Sequence, residues 1–509
     1  MNPFTHFLSI FAAPVAIARL QAHLSNGFLP MTTSGCLQFI CVYVMTLVLS
    51  VSTYRLSPFH PLAQYPGPVL CKLSKLWMMY ISSQGKQHIY YQALHRRYGD
   101  VVRIGKFEFI ISNCRPCSGA LAVNNTVNVA GPNELSIIDP SVMSPLYGQN
   151  ELPKGPMWDG RLSGGQTRSL VAVRDLHEHA RRRKPWARAL GTAALKNYEP
   201  IMKQRAHELV ERLERTDGRV DLAEFISFFA YDFMSDMAFG GGFDLLKNGD
   251  KNGFWRLLDS SVPTPTILGH APWLSQYYAR LPGKGTTMPE FRAFAYGCAQ
   301  KRISEGSTAK DIFYYLNNED GHEPVQPPLR EVISGGTLVI VAGSDTTASA
   351  LSNAFYMLLC NSTAYKRLRG EIDKHFAPGD DVSDVAKHLN MPYLNGVINE
   401  SLRMFPPVPS GGQRANPHDA PTQILGSYAI PGGTSVITPI YVLHRDPRNF
   451  SEPETFMPER WMSPDLRAQL EPEIFSENKA ASFVHEPTAF IPFSIGSSNC
   501  VGKSLAYQM

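Results

Sequence analysis

Apolar residues recur at helical spacing across residues 329–360, LREVISGGTLVIVAGSDTTASALSNAFYMLLC. A helix of that length needs a large body to bury its apolar face. The same period runs through 196–214, 363–375 and 391–404, and from about Ser74 onward the pattern is mainly helical. Strand-like pieces are short, at 100–104 and at 424–440, where Pro431-Gly432-Gly433 interrupts. There is no internal repeat and no low-complexity tract. The expectation is one large, mainly α domain with a small β part.

Several polar groups stand where that pattern predicts burial. Ala342-Gly343-Ser344-Asp345-Thr346-Thr347 lies inside the longest helix, between Val339-Ile340-Val341 and Leu351. These are poor helix-interior residues, and buried polar groups need partners or a purpose. Glu400 and Arg403 share a helix face at i, i+3, a spacing that by itself means an ordinary surface pair in most proteins. Towards the end, Phe493-Ser-Ile-Gly496-Ser-Ser-Asn-Cys500-Val-Gly502 sets one cysteine in a glycine-punctuated loop, and Lys503 onward looks helical. A lone cysteine is usually a small buried hydrophobe. Here the N-terminus of a following helix would favour a thiolate, and Gly496 and Gly502 would let backbone approach a flat cofactor.

Composition narrows the partners. With 48 Lys+Arg against 44 Asp+Glu, the formal net charge of +4 argues against a nucleic-acid binder. Eight scattered cysteines show no disulfide framework and indicate a reducing compartment. Cys114 and Cys117 form one C-x-x-C, but a zinc site needs four ligands and no second pair lies nearby.

The cysteine loop resembles the signature F-x-x-G-x-[R/H]-x-C-x-G of the cytochrome P-450 family, at Phe493, Gly496, Cys500 and Gly502. The departure is Ser498, where the family usually has a basic residue facing a haem propionate. The resemblance implies haem b, with Cys500 as axial ligand to the iron. It also implies that Thr346 hydrogen-bonds the dioxygen and that Asp345 relays protons, with Gly343 thinning the helix above the haem. Phe456-Met-Pro458-Glu459-Arg460-Trp461 resembles the family's P-E-R-F element, so Glu400, Arg403 and Arg460 would form a structural ion network behind the thiolate loop. His179-Ala-Arg-Arg-Arg183 resembles its W-x-x-x-R helix, so His179 and Arg183 would hold haem propionates. Arg181, Arg182 and Lys184 read as a solvated face able to dock an acidic electron donor. Val408–Gln413 and Ala342 would face substrate.

The implied activity is monooxygenation of a small lipophilic molecule in secondary metabolism or detoxification. Electrons would come from NADPH through the flavins of a membrane-bound reductase. The same fold also supports desaturases and isomerases.

Gly35–Tyr54 carries no charged side chain over 20 residues and predicts a membrane span. The run Phe7–Ala18, which holds Pro14, is shorter. Arg55, Lys72, Lys75 and Lys86 follow the span and only Arg19 precedes it comparably, which favours a cytosolic domain; the family resemblance implies the endoplasmic reticulum membrane. Pro58, Pro61 and Pro66-Gly67-Pro68 predict a stiff connector. The expected division is an anchor over 1–57 and a P-450 domain over 58–509. Residues 105–130 read as an unspliced intron, because Gly105-Lys106-Phe107 can be encoded by a splice-donor-like string, Ala130-Gly131 by a matching acceptor, and their removal leaves a strand, a turn and a strand; an unusually long surface loop is the rival reading. The family continues beyond the position of Met509, so a C-terminally truncated, non-catalytic remnant is the alternative reading.

Overall fold

The structure, a computed structural model, describes residues 33–104, 133–148, 151–161, 167–278, 287–306, 310–475 and 482–509. Phe7–Ala18, the Cys114/Cys117 pair and the expected insertion lie outside the described residues. The element order is mainly helical, with six short strands. Helix α1 spans Thr33–Leu56 and α2 spans Gln87–Tyr98. Strand β1 (Val101–Arg103) pairs antiparallel with β2 (Glu134–Ile137) in the register Val101↔Ile137.

Helices α3 (Leu176–Ala189), α4 (Thr192–Glu214) and α5 (Leu222–Phe239) follow. Asp175 and Asp221 cap α3 and α5 by accepting from the Glu178 and Glu224 amides, which occupies donors that a helix start leaves open. The 32-residue helix α6 (Leu329–Cys360) leads into α7 (Ser362–His375) and α8 (Pro392–Met404). Strands β3 (Arg414–Ala415), β4 (Gln423–Leu425), β5 (Tyr428–Ile430) and β6 (Ser435–Ile437) come next, and α9 (Lys503–Gln508) last. The larger sheet has the order β1-β2-β6-β3, and β4-β5 is a separate hairpin. The helical and strand stretches read from the sequence all recur, within a few residues at their ends.

The largest apolar cluster joins α3, α4, α5 and α6. Gly336 and Gly343 let α5 approach α6 closely: a Cβ at Gly336 would sit 2.5 Å from the Phe239 ring, and one at Gly343 would sit 2.4 Å from Met234 Cε. Gly343 thus also serves helix packing. A second cluster gathers Leu62, Tyr65, Leu135, Val436, Phe450 and Ile491 around the sheet.

The connector after α1 is non-helical but does not stand free. Leu62 is fully buried, Tyr65 donates to Ala429 O at 2.8 Å, and Arg103 N donates to Pro66 O at 2.7 Å. Arg55 is likewise drawn into the globule and donates to Leu73 O. Among the described residues no helix is long and apolar enough to cross a membrane. The expected span thus rests on the sequence.

Candidate functional site: a cysteine loop beneath a bank of buried cations

The chain before Cys500 makes a tight loop, with Ser494 and Gly496 at positive φ (57° and 77°) and the Cys500 amide donating to Phe493 O at 2.9 Å. A Cβ on Gly496 would fall 1.7 Å from Tyr147 O. The protein's own backbone demands this glycine. Gly502 has negative φ, and its amide hydrogen-bonds the Cys500 sulfur.

Cys500 is open at the surface, yet burial raises its thiol pKa. Both hold if the sulfur lies on the floor of a concavity, where protein mass displaces bulk water without covering the atom. The Gly502 N–H, Arg183 and Lys503 oppose the rise without cancelling it. The six-residue α9 therefore does not by itself hold a thiolate, and a coordinating cation would supply the missing stabilisation. Arg183 donates from both terminal nitrogens to Asn499, to O at 2.8 Å and to Oδ1 at 2.5 Å, which pins α3 to the loop. The Phe493 ring packs 5.3 Å from Tyr507, whose hydroxyl donates to Asn399 on α8. Val501 and Leu505 join the same apolar cluster as Val339, Ile340 and Ala348 of α6, so the cysteine loop and the Thr346 helix share one core.

On α6, alternate faces divide the polar run. Ser344 donates to Ala230 O of α5 at 3.2 Å and is fully buried. Thr346 lies on the other side and donates to Ala342 O at 2.7 Å. The Asp345 carboxyl is raised above its ordinary range, chiefly by burial and then by Asp259.

Above the loop stands a bank of cationic side chains, only part of which the sequence reading found. Lys154 and Arg414 are buried beside His179 and Arg183. Burial, Lys154, Arg183 and Arg414 push His179 down to about 3, so it is a neutral hydrogen-bonding group. Lys154 falls to about 7, first through burial and then through Arg414. Arg414 Nη2 pairs with Glu151 Oε2 at 2.9 Å, while its Nε and Nη1 are buried without a hydrogen-bond partner. Lys154, Arg183 and Arg414 thus face one carboxylate. Burying cations this poorly matched is costly unless anions arrive. Two carboxylates beside a cysteine-ligated iron, the donor pattern of haem b, meet that demand. The residues fit the group.

Behind the loop the expected network forms with complete burial. Glu400 and Arg403 pair at 2.8 Å, and Arg460 Nε donates to Glu400 at 3.0 Å. Arg403 also donates to His444 O and Pro453 O, and Arg460 donates to Ser451 O and Glu452 O. Trp461, where the family has Phe, donates its indole N–H to Glu400 at 2.9 Å, a bond that a phenyl ring could not make. His444 extends the network to the cysteine loop. Its Nε2 accepts from Ile491 N at 3.0 Å, which leaves Nδ1 to donate to Arg403 O at 3.2 Å. His444, Lys154, Arg414 and Glu151 escaped the sequence reading because each acts through a partner far along the chain.

Two other expectations change. Gln413 does not face substrate: it is buried, accepts from Met157 N at 2.8 Å and donates to Glu134 at 2.9 Å. Arg181 and Arg182 are not a free basic face, since both pair with Glu178 and Glu331.

Residues 136–509 match the family model for cytochrome P-450. A cytochrome P-450 monooxygenase of Fusarium pseudograminearum is 33% identical over 483 residues, covering 93% of this chain and 78% of that protein. One from Eupenicillium brefeldianum is 31% identical, covering 95% of this chain and 89% of that protein. Tryprostatin B 6-hydroxylase of Aspergillus fumigatus is 30% identical, covering 92% and 76% respectively. The chain belongs to the cytochrome P-450 family, and it is an oxidoreductase of the haem monooxygenase kind.

Proposed function

We propose that this enzyme inserts one oxygen atom from O2 into a small lipophilic molecule, with electrons drawn from NADPH through the flavins of a partner reductase. The observation that carries the reading is the pairing of an open-surfaced Cys500 with three cations, Lys154, Arg183 and Arg414, that share the single carboxylate of Glu151. Haem, when bound, supplies the redox chemistry, and the thiolate ligand favours O–O cleavage.

The chain's own residues orient and protonate. Lys154, Arg183, Arg414 and the neutral His179 would hold the two propionates. Thr346 spends its single hydroxyl proton on Ala342 O, so its oxygen presents lone pairs to the site and can accept a hydrogen bond there. Asp345, with its carboxyl raised, sits closer to the working pH of a proton donor than a surface aspartate does. Glu400, Arg403 and Arg460 serve as a rigid base for the loop.

Membrane attachment, on the cytosolic side of the endoplasmic reticulum, belongs to the same proposal. It is supported by the absence of charge over Gly35–Tyr54 and by the outward apolar side chains of α1, with Val42, Met45 and Leu49 each more than half exposed. One relative is a tryprostatin B 6-hydroxylase, and tryprostatin B is a first compound to try here.

The test is expression of the full chain together with a reductase. Membranes should give the thiolate-type spectrum of the reduced carbon monoxide complex, and Cys500→Ala should abolish it. A Cys500→Ala protein that keeps that spectrum refutes the ligand assignment. Extraction with alkaline carbonate should leave the protein in the membrane pellet, whereas release would remove the anchor.

A further inference from the structure

Ser498 is the position at which the chain departs from the basic residue of the family signature. Its surroundings supply a different solution. Ser497 and Ser498 both donate to Glu151 Oε1 at 2.6 Å. The other carboxylate oxygen lies 2.9 Å from Arg414 Nη2. Glu151 and Arg414 are both buried, with side-chain exposures of 2% and 4%. Arg414 belongs to β3, which is paired with β6 at the edge of the four-stranded sheet. A second link runs in parallel: the Arg414 guanidinium lies 5.2 Å over the Tyr147 ring, and the Tyr147 carbonyl is the atom against which Gly496 is pressed. The loop is thus fastened to the sheet without any cofactor atom.

We propose that Glu151 is a positioning residue for the cysteine loop, doing through Ser497 and Ser498 what the family's basic residue at this point does through a propionate. Cofactor binding need not displace it. Glu151 occupies Nη2 of Arg414 alone, and the Nε and Nη1 donors take no part in the tether. A charged acceptor with two hydroxyl donors is among the stronger hydrogen-bonded arrangements, and it fixes the loop before iron arrives.

This inference rests on the haem reading above, and the test separates the two. In the full haem-loaded chain, haem loss to an excess of a scavenging apo-globin is timed for wild type, Glu151→Gln, Glu151→Asp, the double variant Ser497→Ala/Ser498→Ala and the triple combination. Glu151→Gln and the double serine variant should each lose haem roughly tenfold faster. The triple variant should be no faster than Glu151→Gln, because all act on one tether. Glu151→Asp should recover part of the loss. In the haem-free chains, hydrogen exchange across residues 494–500 should quicken in Glu151→Gln and in the serine variant. Unchanged or slower haem loss in Glu151→Gln would make Glu151 a spare counter-charge and overturn the proposal, as would strictly additive effects. If wild type never shows a thiolate-type spectrum, the haem reading itself fails, while the exchange measurement still judges the tether.

Discussion

A methyl group at position 496 has nowhere to go. The residue sits at φ 77°, and the Cβ would meet the Tyr147 carbonyl. Positive φ and overpacking each cost about 1–3 kcal/mol, so Gly496→Ala should remove roughly 2–6 kcal/mol. A urea midpoint within error of wild type would show that the loop relaxes freely. The position of Trp461 offers a sharper case. Trp461→Phe restores the family's usual residue, yet it deletes a half-buried donor to the Glu400 carboxylate and should cost about 1–3 kcal/mol. Glu400→Ala should cost more, about 3–5 kcal/mol, since it strands Arg403 and Arg460 in the interior. Equal midpoints for these two variants would mean that the ion network contributes little beyond packing.

At the scale of elements, the close pair is α5 against α6. Gly336→Leu drives a side chain into the Phe239 ring and should lower stability by about 1–3 kcal/mol, measured as a drop in thermal midpoint. The same pair shows what sequence can and cannot reveal. Helices such as α6 and α8 are legible because their apolar period is a local property of consecutive residues. The cysteine loop is legible because its chemistry occupies one short stretch. Residues that act through distant partners leave no such trace. His444 meets a backbone amide 47 positions away, and Ser498 meets a carboxylate 347 positions away. Gly343 is the converse case: the glycine is visible in the sequence, but Met234, against which it packs, is not. The basic run on α3 misleads for a related reason, since Glu331, which neutralises part of it, belongs to another helix.

For the whole molecule, buried histidines set a pH response. Burial, assisted by nearby arginines, lowers His60 to about 4 and His444 to about 3, and burial lowers His95 to about 4. Each is neutral when folded and takes up a proton on unfolding below about pH 6.5. Their contribution is therefore complete above that value and is lost as pH falls towards the folded values. Each such group costs up to about 1.4 kcal/mol per pH unit within that window. Urea unfolding at pH 5 should show markedly lower stability than at pH 7; a flat profile would contradict the assigned neutral states. Glu400, whose carboxyl is held below its ordinary range by Arg403 and Arg460 despite burial, adds a loss at lower pH, because its contribution fades as pH falls through its depressed value.

The β1–β2 pair carries a practical consequence. Ile104 N donates to Glu134 O at 2.8 Å, so the chain leaves the sheet and re-enters it on neighbouring rungs of one antiparallel ladder. Register is fixed by Val101↔Ile137 and Arg103↔Leu135, on the near side of that exit. Closing a longer path between two such points costs only about 0.6 kcal/mol per doubling of its length. Whatever joins residues 104 and 133 is thus thermodynamically almost free to vary. Excising 105–130 should leave the fold and its haem-binding spectrum unchanged. The same junction should also accept a fluorescent reporter or an affinity handle, giving a labelled oxygenase whose catalytic half is untouched.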